Sequence, residues 1–257
     1  MTGRRRTFVA VATMAVVAVA CAPDGPDAPG TDGADIAPTD ISSTDISSTD
    51  DAPTAIDVDV ATAATVSIRA RGCGPRTRFG VGTVIGERIV VTVAHVVAGS
   101  DTVQVVGPDG RSVPVDVVWF DPDLDVAVLR PDAPVGTPIE LSPTAPDAGP
   151  GIVLLPRLGG EDGEVGVLDV EVVRSVTIRT TDIYRTVELE RSGVEVAARI
   201  EAGDSGAMVH TPGGTSGIIW ARSSERSDRA WAVDLPAVVV DEAERLVTPV
   251  AVHRCVH

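Results

Sequence analysis

Hydrophobic positions in this chain come in short Val-rich runs, cut by turn residues such as Pro108-Asp109-Gly110 and Pro212-Gly213-Gly214. β-Branched residues pack well on a pleated surface, so the runs predict strands rather than helices. The segments fall at 64–69, 82–91, 102–106, 113–119, 126–130, 152–155, 165–173, 187–189, 194–200, 217–220 and 230–233. About a dozen short strands at this spacing predict an all-β domain of paired antiparallel barrels or a sandwich. The exception is 236–246, which predicts one short closing helix.

The pattern stops short of the amino terminus, where composition changes the picture. Arg4, Arg5 and Arg6 precede an apolar run from Phe8 to Ala20. A positive end, a short apolar stretch and small residues before a cut make a secretory signal over 1–20. The run is too short for a comfortable bilayer span of about 20 residues. Ala18-Val19-Ala20-Cys21 resembles a bacterial lipobox, with Ala18 where Leu is usual. It also satisfies the small-x-small rule of ordinary cleavage. Both readings cut after Ala20 and differ in whether Cys21 carries a lipid. Residues 21–59 are rich in Pro, Gly, Ser, Thr and Asp and predict a disordered tether, leaving a folded domain over 60–257.

Charge sharpens this division. The formal net charge is -16, but residues 22–59 hold ten Asp and no basic residue, so the domain itself is only moderately acidic. No basic surface is visible that could displace counterions from phosphates, and nucleic-acid binding is not expected. With 44% hydrophobic and 3% aromatic residues, the core must be built of Val, Ala, Ile and Leu. Cys73 and Cys255 bracket the domain and can pair in an oxidising compartment, which leaves Cys21 odd and suited to a lipid anchor. No paired Cys/His spacing points to zinc or another metal.

Three segments carry candidate chemistry. Glu201-Ala202-Gly203-Asp204-Ser205-Gly206-Ala207-Met208 can present the Ser205 hydroxyl on a tight turn that Gly203 allows. The amides of Gly203 and Ser205 would then form an oxyanion hole. By itself Gly-Asp-Ser-Gly is also an ordinary surface turn. Val93-Ala94-His95-Val96-Val97 sets one imidazole in an apolar segment, where it is a base for Ser205 or a structural histidine. Asp125 begins the apolar run Val126–Leu129 and is placed to be buried and to orient that imidazole; Asp121 and Asp123 read as solvated turn residues. The order His, Asp, Ser is that of one convergent solution to the Ser-His-Asp problem and excludes two others.

Ala94-His95-Val96-Val97, Asp125-Val126-Ala127-Val128-Leu129 and Gly203-Asp204-Ser205-Gly206 resemble trypsin-like peptidases of the HtrA-related kind. The actinobacterial MarP-type periplasmic proteases are similar further, through Cys73, Asp182-Ile183-Tyr184 and the 217–221 strand. The likeness covers roughly 62–240. It implies a chymotrypsin-like double six-stranded antiparallel β-barrel with the site between the barrels. It also implies a serine endopeptidase acting through His95, Asp125 and Ser205, without metal or cofactor.

The sequence departs from that family at several points. Ala207 stands where a second Gly is usual, and Met208 where Pro is usual. If that Gly has positive φ, a methyl there costs on the order of 1 kcal/mol or more and narrows the cleft. Arg199 falls at the floor of the family's specificity pocket, with Trp220 and Ala221 beside it. Such an Arg repels basic substrates and favours acidic ones, or points outward. No Ile-Val-Gly-Gly amino terminus is present to pair with Asp204, which is then solvated or paired with an Arg. His210, His253 and His257 are expected at the surface. The combined expectation is a monomeric, exported endopeptidase of protein or peptide substrates, held at the bacterial envelope by lipid on Cys21. The alternatives are a catalytically weakened protease-fold scaffold and an esterase-like hydrolase using the same residues.

Overall fold

Among the described residues, twelve strands close into two antiparallel barrels. The computed structural model describes residues 55–156, 164–252 and 254–256, all within the unit Asp50–His257. The expected signal segment, Cys21, most of the expected tether, His253 and His257 lie outside the described residues.

A short helix, α1 (Val58–Ala64), opens the described chain. Asp57 caps it, its carboxylate accepting the amides of Asp59 and Val60 at 3.1 Å. Ala61 and Ala64, three residues apart, turn inward. Helix is thus already present at Val58, two residues before the expected start of the domain, because a capping Asp is indistinguishable in sequence from the Asp-rich segment preceding it.

The first barrel contains β1 (Thr65–Gly72), β2 (Gly74–Gly86), β3 (Ile89–Thr92), then α2 (Ala94–Val97), β4 (Ser100–Val106), β5 (Ser112–Asp121) and β6 (Val126–Pro131). Its strands run in the order β1-β2-β3-β6-β5-β4, with β4 closing on β1. The second barrel contains β7 (Gly149–Pro156), β8 (Val165–Thr181), β9 (Glu188–Ala197), β10 (Met208–Thr211), β11 (Gly214–Arg222) and β12 (Arg229–Val233). It repeats the same order as β7-β8-β9-β12-β11-β10 and closes β10 on β7. The expected double six-stranded barrel is thus the observed architecture. Closure leaves neither sheet an unpaired edge.

The interiors are aliphatic, as the scarcity of aromatics requires. Ile68, Val84, Ile89, Val90, Val91 and Leu129 are fully buried in the first barrel, and Val153, Val194, Val196, Val209 and Ile219 in the second.

Several element boundaries differ from the sequence reading. The run 82–91 is two strands joined by a two-residue turn at Glu87-Arg88, directly after Gly86, which pairs with Ile89. Segments 187–189 and 194–200 merge into one strand, β9, which runs through the gap between them and ends at Ala197. Gly193, which reads as a break, instead permits close approach to β12, since a Cβ there would lie 2.1 Å from the Ala232 carbonyl oxygen. The closing helix splits into α3 (Ala237–Asp241) and a 3-10 turn at Ala243–Arg245.

Cys73 and Cys255 are bonded, across a separation of 182 residues. The bridge ties the carboxy-terminal segment to the start of the first barrel, where Gly99 donates its amide to the Val252 carbonyl. Among the described residues no helix is long and apolar enough to cross a membrane.

Candidate active site

The register of β3 against β6 puts two of the candidate residues together. Thr92 pairs with Ala127, so His95, just past the end of β3, faces Asp125, just before the start of β6. Asp125 is 3% exposed. One carboxylate oxygen accepts the His95 backbone amide at 2.8 Å, and the other lies 2.8 Å from His95 Nδ1. The Asp125 carbonyl takes the Ala94 amide at 3.2 Å. With Nδ1–H donated to the carboxylate, Nε2 is the ring's free lone pair, and the imidazole keeps about a third of its surface open, 32%.

Asp125 holds this position in a left-handed backbone conformation, φ 61°. Asp tolerates that region better than most residues. The preceding turn is shaped by Asp121, whose Oδ1 accepts the amides of Asp123 and Leu124, each at 2.8 Å.

The Ser205 turn is built on two glycines, Gly203 at φ 106° and Gly206 at φ 96°. Gly206 has a further reason to be glycine, since an added Cβ would meet the Val81 carbonyl oxygen at 2.0 Å. The Ser205 carbonyl accepts the Val81 amide at 2.8 Å, and the Gly206 amide donates to Ile219 at 2.8 Å. The first contact pins the turn of the second barrel to β2 of the first. Among the described residues the Gly203 and Ser205 amides have no protein acceptor, and both remain available to an incoming oxygen. His95, Gly203 and Ser205 line one cleft of about 370 Å³, together with Thr77, Arg78, Phe79, Val96 and Ala202.

Asp204 adopts neither expected arrangement. Its Oδ2 accepts the Glu201 amide at 2.7 Å, closing the turn on itself. Burial pushes its pKa up, opposed in part by that amide. Ala207 also corrects the expectation: its φ is not positive, and its methyl is fully buried in the second-barrel core rather than facing the cleft. Met208 is buried against the first-barrel core. The conformationally demanding position is Gly206, one residue earlier, and it is still Gly.

Arg199 points outward. Its side chain is 79% exposed and pairs with Glu201 at 3.6 Å. It lines a separate cavity with Glu201, Arg222 and Glu225. Trp220 packs on the first-barrel core with Arg191 over its ring at 4.5 Å, and Ala221 pairs with Trp231 in the β11–β12 ladder. His210 is a further correction. It is 3% exposed, with Nδ1 2.9 Å from Thr215 Oγ1, and burial lowers its pKa to about 4. The alternation of β10 is hidden because all four residues of that short strand are buried.

Two site-adjacent residues escape the sequence reading. Arg78 donates to the carbonyls of His95 (3.5 Å) and Ala98 and to Ser100 Oγ (2.9 Å), gripping the chain that leaves the His95 helix. Arg191 reaches from β9 to the Asp123 carbonyl at 2.6 Å. Both lie in polar stretches, and only barrel packing brings them to the site. Among the described residues, no group of three or more His, Cys, Asp or Glu is placed to hold a metal ion.

Comparison with known proteins gives the same fold and a family. Residues 80–215, more than half of the chain, match the family described as trypsin-like peptidase domain. Serine protease Rv3671c of Mycobacterium tuberculosis is 28% identical over 211 residues, which cover 79% of this chain and 52% of that protein. The chain thus spans about half the length of the curated relatives it matches. Among solved structures, the active form of the Rv3671c protease superposes with TM-score 0.69 at 24% identity, covering 78% of this chain and 88% of that one. An HtrA-type protease, AlgW with a tripeptide, gives TM-score 0.58 at 21% identity, covering 72% and 62%. The chain belongs to the trypsin-like peptidase domain family.

Proposed function

We propose that this chain is a serine endopeptidase in which Ser205 is the nucleophile, His95 the general base and acid, and Asp125 the group that orients His95. The observation that carries the proposal is the imidazole gripped by Asp125 through both Nδ1 and the backbone amide, in a cleft that Ser205 also lines. His95 Nε2 takes the Ser205 proton as Oγ attacks a peptide carbonyl carbon. The developing oxyanion accepts hydrogen bonds from the Gly203 and Ser205 amides, and Asp125 stabilises the imidazolium. His95 then gives its proton to the leaving amine, and water, deprotonated by His95, releases the acid from the acyl-enzyme. The scaffold reading rested on Ala207 and Met208, and their ordinary backbone and buried side chains remove its motive.

The test is covalent labelling of the folded, oxidised chain by a fluorophosphonate. Ser205→Ala is expected to abolish it, and an unlabelled wild-type protein would sink the proposal. Side-by-side turnover of peptide and simple ester substrates separates a peptidase from an esterase. We further propose export and lipid anchoring through Cys21, supported by Arg4–Arg6, the apolar run and Ala18-Val19-Ala20-Cys21. Mass spectrometry of the mature amino terminus is expected to find acylated Cys21; an unmodified cysteine overturns the anchor.

A further inference from the structure

We infer that Arg191 is a positioning residue for Asp125: one side chain of the second barrel holds the first-barrel loop from which that carboxylate reaches His95. The kinetic part of this inference rests on the endopeptidase reading above, and the geometric part does not.

Arg191 lies in β9 and is 2% exposed, the largest of the fully buried side chains. Burying a guanidinium costs several kcal/mol unless its charge and donors are answered. The answers come from both barrels. Nε donates to the Asp123 carbonyl at 2.6 Å, two residues before Asp125, and Nη2 donates to the Thr181 carbonyl at 3.3 Å, at the end of β8. The guanidinium also lies over the Trp220 ring, with Cζ 4.5 Å from the centroid. A second tie runs parallel to it. The Ile183 amide donates to the Pro122 carbonyl at 3.1 Å, and the Ile183 side chain is buried in the first-barrel core. The β8–β9 hairpin thus holds the 121–125 loop at successive carbonyls, Pro122 and Asp123.

The loop needs holding. Asp125 sits at φ 61°, a conformation that persists only when its surroundings enforce it. Asp121 organises the loop from within, through the Asp123 and Leu124 amides. Arg191 fixes it from outside, through the carbonyl of the same Asp123. Its charge matters as well. Burial pushes the guanidinium pKa down, while the carboxylates of Asp125, Asp121, Asp123 and Asp182 push it back up. A cation therefore stands among the carboxylates behind His95. Lysine would keep the charge but not the planar fork that reaches two carbonyls while stacking on an indole.

The experiment uses the full oxidised chain as wild type, Arg191→Met and Arg191→Lys. It reads three quantities: the far-downfield proton resonance of His95 Nδ1–H, the thermal melt, and kcat and KM on a peptide substrate. In Arg191→Met a cooperative melt is expected together with loss of the downfield resonance. A fall in kcat of about 10- to 100-fold with KM within about twofold is expected there, as for a small misplacement of a catalytic group. Arg191→Lys is expected to fall between Arg191→Met and wild type. Wild-type resonance and kcat in either variant overturn the inference. Should Arg191→Met fail to fold, Arg191→Lys decides alone, by a weakened resonance at retained fold or by none. A wild-type chain without turnover, whose resonance disappears in Arg191→Met, leaves the inference standing and removes the endopeptidase reading.

Discussion

At the residue scale, Asp125 does two jobs with one side chain. It selects the His95 tautomer through Nδ1 and anchors the first turn of α2 through the His95 amide. Asp125→Asn keeps the shape but can present an N–H to Nδ1, favouring the wrong tautomer. We expect kcat to fall about 10⁴-fold with KM little changed, read in steady-state peptide hydrolysis. Ala207 makes a contrary prediction. Because its methyl fills core at ordinary φ, Ala207→Gly should yield no gain in kcat and should cost about 1 kcal/mol of stability in a urea titration. A rise in kcat would show that the methyl does obstruct the cleft. His210 contributes through pH. Its folded-state pKa, about 4, lies below the ordinary histidine value, so protonation favours the unfolded chain. Its contribution is complete above about pH 6.5 and is lost as pH falls towards 4, where roughly 3 kcal/mol has gone. Melting temperatures across that window should fall less steeply for His210→Gln than for wild type, and parallel curves would remove His210 as the cause.

At the element scale, the informative feature is how β9 runs through Gly193. The sequence reading leaves 190–193 between two strands, and Gly in a strand interior weakens it. The ladder with β12 is continuous from Gly193↔Val233 to Ala197↔Arg229, and the glycine is there so that two backbones can meet. Gly193→Val is therefore expected to destabilise the protein by about 2–4 kcal/mol, measured by denaturant unfolding. Tolerance of valine would mean that the strand is interrupted there after all. The same logic explains why β10 went unseen. It has four residues, all buried, and periodicity cannot be read from a segment with no exposed face.

At the scale of the whole molecule, the junction between barrels decides the site. His95 and Asp125 come from the first barrel and Ser205 from the second. Hydrogen bonds from Val81 to the Ser205 carbonyl, from Arg191 to Asp123 and from Ile183 to Pro122 hold the halves in register. The Cys73–Cys255 bridge closes nearly the whole domain into one loop, which restricts the unfolded chain strongly. The double variant Cys73→Ala, Cys255→Ala should lose about 2–5 kcal/mol, read as a lower midpoint in guanidinium. An unchanged midpoint would show that the carboxy-terminal segment is held by packing alone.

The all-β class was legible in the β-branched runs between turns, while the double barrel rather than a sandwich followed from the family resemblance. The segments bearing His95, Asp125 and Ser205 stood out by local signals, a polar residue set in apolar surroundings and glycines where a turn needs them, and the cysteine pair by its bracketing of the domain. Arg78, Arg191, the inward turn of His210, the outward turn of Arg199 and the harmless burial of Ala207 were not legible. For a polar side chain in a strand, sequence gives the alternation but not what lies opposite, and burial depends on strands distant along the chain. Gly206 shows the division within one residue. Its glycine could be read as a turn requirement, but that it must also clear the Val81 carbonyl of the other barrel only the tertiary structure decided.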